Sequence, residues 1–392
     1  METTIVIASA ARTPMGGFQG CFNEVSAVQL GTAAVEEALV RSTLAPEQIQ
    51  EIIMGCVLPA GLKQGPARQA AINAGIPVSA GATTINKLCG SGMKAAMLAH
   101  DLIKAGTNDI MIAGGMESMT NSPYLMAKAR GGLRMGHGSV QGSMFIDGLE
   151  DAETGRLMGS FAQDVADEYQ LTREDMDAYA IRSLKRAQQA ITDGSLGAET
   201  VPVVVKGRKS EITVQHDEQP GNADIDKIPT LRPAFAKDGT VTAANSSSIS
   251  DGASALVLMS EESAREKNVT PLARIVGHAT HSLHPAEFTI APIGAVDKLL
   301  TQVGWDKSDV DLFEINEAFA MVTMLAIREL DLDPEKVNVH GGACAQGHPI
   351  GSTGARIIVT LIYALRKLGK KRGVAALCIG GGEATAIAIE LV

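Results

Sequence analysis

Residues 31–54 (GTAAVEEALVRSTLAPEQIQEIIM) can be laid without a gap on residues 292–315 (PIGAVDKLLTQVGWDKSDVDLFEI). Val35, Leu39 and Ile49 then fall on Val296, Leu300 and Val310. Both segments read as an amphipathic helix, a short turn and a strand. A second pair follows in the same order. Gly90-Ser91-Gly92 opens a helix through Lys104, followed by the strand Ile110-Met111-Ile112-Ala113 ending in Gly114-Gly115. Later, Gly351-Ser352-Thr353-Gly354 opens a helix through Leu368, and the strand 374–379 ends in Gly380-Gly381-Gly382. Two ordered matches predict a duplicated fold. Strands alternating with helical patterns place it in the α/β class with a mostly parallel arrangement.

The chain has 392 residues, enough for two or three packed units. The repeat divides it into a first half at 1–117, an inserted loop domain at 118–248, a return to the first half near 241–265, and a second half at 270–392. Residues 118–157 are rich in Gly, Met and Arg; 161–191 read as helical, with Thr172 capping a turn that holds Glu174 and Asp175; 207–245 are polar and turn-rich. A long irregular insertion usually carries binding function. The 41 glycines against 3% aromatics suggest tight turns and close backbone approach to a ligand.

A net charge of −10 argues against a nucleic-acid partner. Five cysteines (Cys21, Cys56, Cys89, Cys344, Cys378) show no CxxC spacing, and the odd count favours a reducing compartment. No apolar run approaches the ~18 residues of a membrane span. With no leader evident, the expectation is a cytoplasmic protein without a membrane partner. His278, His281 and His284 have no cysteine or acid cluster beside them, so no metal is expected. The triple glycine lacks the GxxxxGK[ST] frame, and no GxGxxG follows the first strand, which argues against nucleotide-dependent oxidoreductases.

Four side chains could carry chemistry. Cys89, before Gly90-Ser91-Gly92, stands at a helix N-terminus, where backbone N–H groups and the helix dipole lower a thiol pKa; the bland reading is a small buried cysteine. His348, before the equivalent helix of the second half, could take the thiol proton if the two helix starts share a pocket, or could be a turn histidine. Cys378 ends a strand beside the triple glycine, where ligands bind in open α/β sheets; it is an acid/base candidate or a core thiol. Asn316 closes a strand and could orient a water or hold an oxyanion, or cap a helix.

Six separated segments in order resemble the thiolase family: Ala10-Ala11-Arg12-Thr13-Pro14, NKLCGSGMKA (86–95), GGMESMTNSPY (114–124), Asn316-Glu317-Ala318-Phe319, GGACAQGHPIGSTGAR (341–356), and Cys378 with its glycines. The resemblance runs nearly end to end. It implies a duplicated, five-layered α/β/α/β/α fold with an inserted loop domain. It also implies acyl-CoA substrates, with coenzyme A as part of substrate and product and no tightly bound cofactor. Cys89 would be acylated, His348 would activate it, and Cys378 would move a proton at the second acetyl group. Asn316, through a water, and His348 would hold one thioester oxygen; the backbone N–H groups of Cys89 and Gly380 would hold the other. Ser247 would touch the pantetheine, with Met158, Phe235, Ala243, Ala318 and Phe319 as apolar wall.

The implied activity is condensation of two acetyl-CoA to acetoacetyl-CoA and CoA, the alternative being a broad 3-ketoacyl-CoA thiolase of fatty-acid oxidation. A catalytically dead binding member would be expected to lose Cys89 or His348, and both are present. Members of the family are homo-oligomers, dimers or tetramers, with 126–138 matching a tetramer-forming loop. Ala244 and Ser248 stand where the family usually has Gly, His340 where Asn is common, and Gln346 where an apolar residue is usual. Glu383-Ala384-Thr385 replaces a small or neutral continuation, and Glu383 is expected to raise the pKa of Cys378.

Overall fold

The computed structural model describes residues 3–207 and 211–392. The first half contains β1 (Ile5–Arg12), α1 (Ala27–Ser42), β2 (Glu51–Gly55), α2 (Pro66–Asn73), β3 (Gly81–Ile85), α3 (Ser91–Lys104) and β4 (Ile110–Ser118). The chain then makes a long excursion, holding α4 (Met158–Glu168) and α5 (Arg173–Thr192), before β5 (Ser250–Ser260) re-enters the sheet beside β4. The second half contains β6 (Ala273–Ser282), α6 (Ala291–Val303), β7 (Leu312–Ile315), α7 (Ala320–Glu329), α8 (Ile350–Lys367), β8 (Arg372–Ile379) and β9 (Glu383–Leu391).

The duplication holds residue by residue. α1 ends at Thr43 and α6 at Gly304, aligned positions that both adopt the left-handed conformation, with φ of 61° and 68°. Short 3₁₀ turns follow at Pro46–Gln48 and Lys307–Asp309, again aligned, and then β2 and β7. Strand order is β7-β8-β9-β6-β1-β5-β4-β2-β3, with the two halves joined through Ile5–Ile7 of β1 against 273–275 of β6. The sheet is mixed rather than mostly parallel. β2 is parallel to β3 and β4, and β7 to β8, while the other main pairings are antiparallel. One of these antiparallel pairings is set locally: β8 and β9 are joined by the Gly380–Gly382 turn, with Gly381 and Gly382 at φ of 89° and 93°, so no helix crosses over between them.

Alternation along the strands builds three cores. Val6, Val257 and Met259 face α1 and α2; Ile5, Ile7, Leu256 and Leu258 face inward. The inward faces of both half-sheets enclose α3 and α8, and the outer face of the second packs on α6 and α7. The result is five layers, with α3 and α8 side by side in the middle. Helix starts there approach closely because Gly354 lies over the backbone of Met93, where a Cβ would collide with its amide nitrogen. Among the described residues no helix is long and apolar enough to cross a membrane.

Candidate active site

The middle helices bring both halves' helix starts to one cavity of about 380 Å³. Cys89 precedes α3 in a tight turn: Gly90 N–H donates to the Lys87 carbonyl (3.0 Å), Ser91 N–H to that of Leu88 (3.0 Å), and the Ser91 hydroxyl also to Leu88 (2.7 Å). Leu88 is held at φ 48°, a costly conformation for a branched residue and one that persists only when its surroundings impose it. The turn presents the sulfur to the cavity, while Gly380 approaches from the β8–β9 turn. The backbone N–H groups of Gly380 and Cys89 face the sulfur.

His348 enters from the segment before α8. Its Nδ1 lies 2.6 Å from the Thr353 hydroxyl. That hydroxyl donates to the Pro349 carbonyl (2.9 Å), so it accepts from Nδ1–H and leaves the lone pair on Nε2. Nε2 is buried, with no hydrogen-bond partner among the described residues. Burial, reinforced by the nearby Arg356 charge, lowers the imidazole pKa to about 3. The histidine is therefore a neutral base in waiting.

Cys89, His348 and Gly380 line the cavity together with Met158, Phe235, Ala243, Ser247, Ala318 and Phe319, the whole apolar wall expected from sequence. Ser247 is placed by pairing of its segment with 318–319: its N–H donates to the Ala318 carbonyl at 2.9 Å. Cys378 and Asn316 do not line it. Cys378 is fully buried in the apolar cluster behind, beside Phe319 and Met158. Asn316 lies buried beyond β7, its Oδ1 3.5 Å from the Arg356 guanidinium and its Nδ2 without a hydrogen-bond partner among the described residues.

The thiolase N-terminal domain model matches residues 5–262 and the C-terminal domain model residues 269–391. The chain belongs to the thiolase family. It is 46% identical over 390 residues to a probable acetyl-CoA acyltransferase of Staphylococcus aureus strain COL, covering 99% of each chain. It superposes with a TM-score of 0.97 on an acetyl-CoA acetyltransferase from Bacillus anthracis (41% identity, 100% of this chain, 99% of the other). A thiolase from Ascaris suum in complex with coenzyme A gives 0.94 (43% identity, 99% and 100%).

Two electrostatic expectations for this thiolase are corrected. Cys89 is not held as a low-pKa thiolate: desolvation dominates, the two backbone N–H groups pull the other way, and the net shift is up to about 11. Glu383 does not act on Cys378. Its carboxylate pairs with Lys87 Nζ at 2.7 Å, and Cys378 is raised by burial first and by neighbouring Cys89 second. Of the other departures, Ser248 accepts the His348 N–H at its carbonyl (3.2 Å) and lines the cavity, and Ala244 packs beside the Leu184 cluster. Gln346 donates to the His340 carbonyl (3.0 Å).

Three supporting residues went unnoticed in the sequence. Thr353 sets the His348 tautomer. Glu117 accepts from the N–H groups of Val57, Leu58 and Gly351, tying the β2 exit to the start of α8. Glu317 accepts from Tyr179, Ser183, Asn338 and the Cys344 N–H, locking α5 to the Asn316 loop. A signal existed: a carboxylate inside a wholly buried strand, as Glu117 is in β4, must be hydrogen-bonded. One further expectation fails. His278 does have an acid partner, Asp101, supplied by the fold from α3.

Proposed function

We propose that this thiolase is an acetyl-CoA C-acetyltransferase, joining two acetyl-CoA to acetoacetyl-CoA and CoA in a reversible ping-pong reaction. The observation that carries the reading is the convergence of the Cys89 sulfur, the Gly380 N–H and the unpartnered His348 Nε2 on one apolar cavity. His348 Nε2 takes the Cys89 proton as the sulfur attacks the acetyl carbonyl. The same proton passes to the departing CoA sulfur, leaving acetyl-Cys89. The Cys89 and Gly380 N–H groups hold the carbonyl oxygen of the acyl-cysteine as negative charge develops.

In the second half-reaction Cys378 passes its own proton to His348 Nε2 and, as thiolate, removes a methyl proton from the second acetyl-CoA. The enolate oxygen is met by His348 Nε2–H and, through a water, by Asn316. The carbanion attacks acetyl-Cys89, acetoacetyl-CoA forms, and the departing Cys89 thiolate takes back the His348 Nε2 proton, restoring the neutral pair. Substrate enters along Ser247 and the wall of Met158, Phe235, Ala243, Ala318 and Phe319. The 2.9 Å Ser247–Ala318 pairing supports that wall as a rigid face.

The reading includes a cytoplasmic homo-oligomer, dimer or tetramer. Support comes from the free state of the described cysteines. Exposed Tyr124, Met126, Leu133, Met135 and Val140, in and around residues 126–138, add an apolar surface that a second copy would cover.

The test is mass spectrometry after brief mixing with acetyl-CoA alone. Acetylation confined to the Cys89 peptide is expected; activity with Cys89 unmodified would end the scheme. Thiolysis of acetoacetyl-CoA should outpace that of a long-chain ketoacyl-CoA, and the reverse order would assign the chain to broad 3-ketoacyl-CoA cleavage.

A further inference from the structure

Three side chains outside the cavity converge where the first half meets the second. His100 and Asp101 lie near the C-terminal end of α3, and His278 lies on β6. His100 Nδ1 and His278 Nε2 each stand 2.9 Å from the same Asp101 oxygen, Oδ1. The two rings meet edge to face, 5.1 Å between centroids at 89°, and all three ligand atoms fall within 4.8 Å of one another. We propose that His100, Asp101 and His278 bind one divalent transition-metal ion of the zinc type, clamping α3 to β6.

The donor set argues for that class. Two imidazoles and one carboxylate suit Zn²⁺, Co²⁺ or Ni²⁺, whereas Mg²⁺ and Ca²⁺ call for oxygen ligands. An ion about 2.1 Å from each ligand atom needs the 2.9 Å separations to open to roughly 3.3 Å. Asp101 can supply that movement, being 53% exposed at the side chain while His100 is fixed by burial. Three protein ligands leave a position for water, so binding is exchangeable. The site stands twelve residues along the chain from Cys89, roughly 18 Å at helical rise, and shares no residue with the catalytic cavity. An ion there bridges the two halves and stabilises the folded chain by linkage.

The experiment is titration of the full-length, chelator-treated protein with Co²⁺ under reducing conditions near neutral pH. One equivalent should bind, with visible d–d bands of a nitrogen and oxygen ligand set, no thiolate charge-transfer band, and displacement by Zn²⁺. His278→Ala and Asp101→Asn should each weaken binding at least ~10-fold, with thiolysis of acetoacetyl-CoA by His278→Ala unchanged as the control for folding. Undiminished affinity in both variants, a thiolate band placing the ion on cysteine, or no binding up to millimolar metal would each overturn the proposal.

Discussion

The charge state of Cys89 before substrate arrives can be tested by alkylation across pH. A helix start by itself favours the thiolate, but the walls of the cavity remove the water that would solvate it, and the thiol rises from its ordinary 9.0 to about 11. Two units cut the thiolate fraction at neutral pH about 100-fold. A more basic thiolate is also more nucleophilic; a Brønsted slope near 0.4–0.5 returns roughly 10-fold. Iodoacetamide should therefore modify Cys89 about 10-fold more slowly than an exposed cysteine. The rate should climb nearly tenfold per pH unit from about pH 6 to about pH 9. Peptide mass spectrometry of timed samples gives the rate at Cys89 alone. A plateau beginning below about pH 8 would refute the reasoning. It would mean that His348 already holds the proton as an ion pair, in conflict with an imidazole lowered to about 3.

Four further outcomes follow from the same geometry. Thr353→Val should lower kcat by at least ~10-fold with little change in KM, because Nδ1–H loses its acceptor and the Nε2 lone pair is no longer fixed, while Thr353→Ser should retain the rate. Because the folded pKa of His348 lies near 3 against an ordinary 6.5, the unfolded chain binds the extra proton between those values. Stability should fall as pH drops through that window, by up to about 5 kcal/mol (about 3.5 pH units at about 1.36 kcal/mol each); urea unfolding of His348→Gln should show a correspondingly flatter acid limb. Gly354→Ala drives a methyl into the backbone of α3 and should cost about 2–3 kcal/mol in denaturant melts. Glu383→Gln should leave the pH profile of condensation in place, since a partly exposed pair with Lys87 contributes at most about 1 kcal/mol.

What could be read in advance divides by how far apart the determinants lie along the chain. Helix and strand periodicity is local, so the repeat registered α1 with α6 to the residue, including the left-handed ends at Thr43 and Gly304. From that register followed the pairing of α3 with α8, and so the meeting of Cys89 with His348. Contacts between remote segments left no such trace. Lys87 and Glu383 are 296 positions apart, and Asp101 and His278 are 177. Without those partners, Glu383 looked like a perturber of Cys378, and His278 like a histidine without an acid.

The sign of the Cys89 shift was hidden for the same reason. A helix start is visible in Gly90-Ser91-Gly92, but desolvation comes from walls assembled out of Leu149, Met158, Phe319 and Ile350, three separate stretches of chain. Local dipoles can be inferred from neighbours in sequence; dielectric surroundings cannot. At this site the second effect is the larger one. It leaves the thiol and imidazole both neutral at rest, so proton transfer must accompany attack on the thioester rather than precede it.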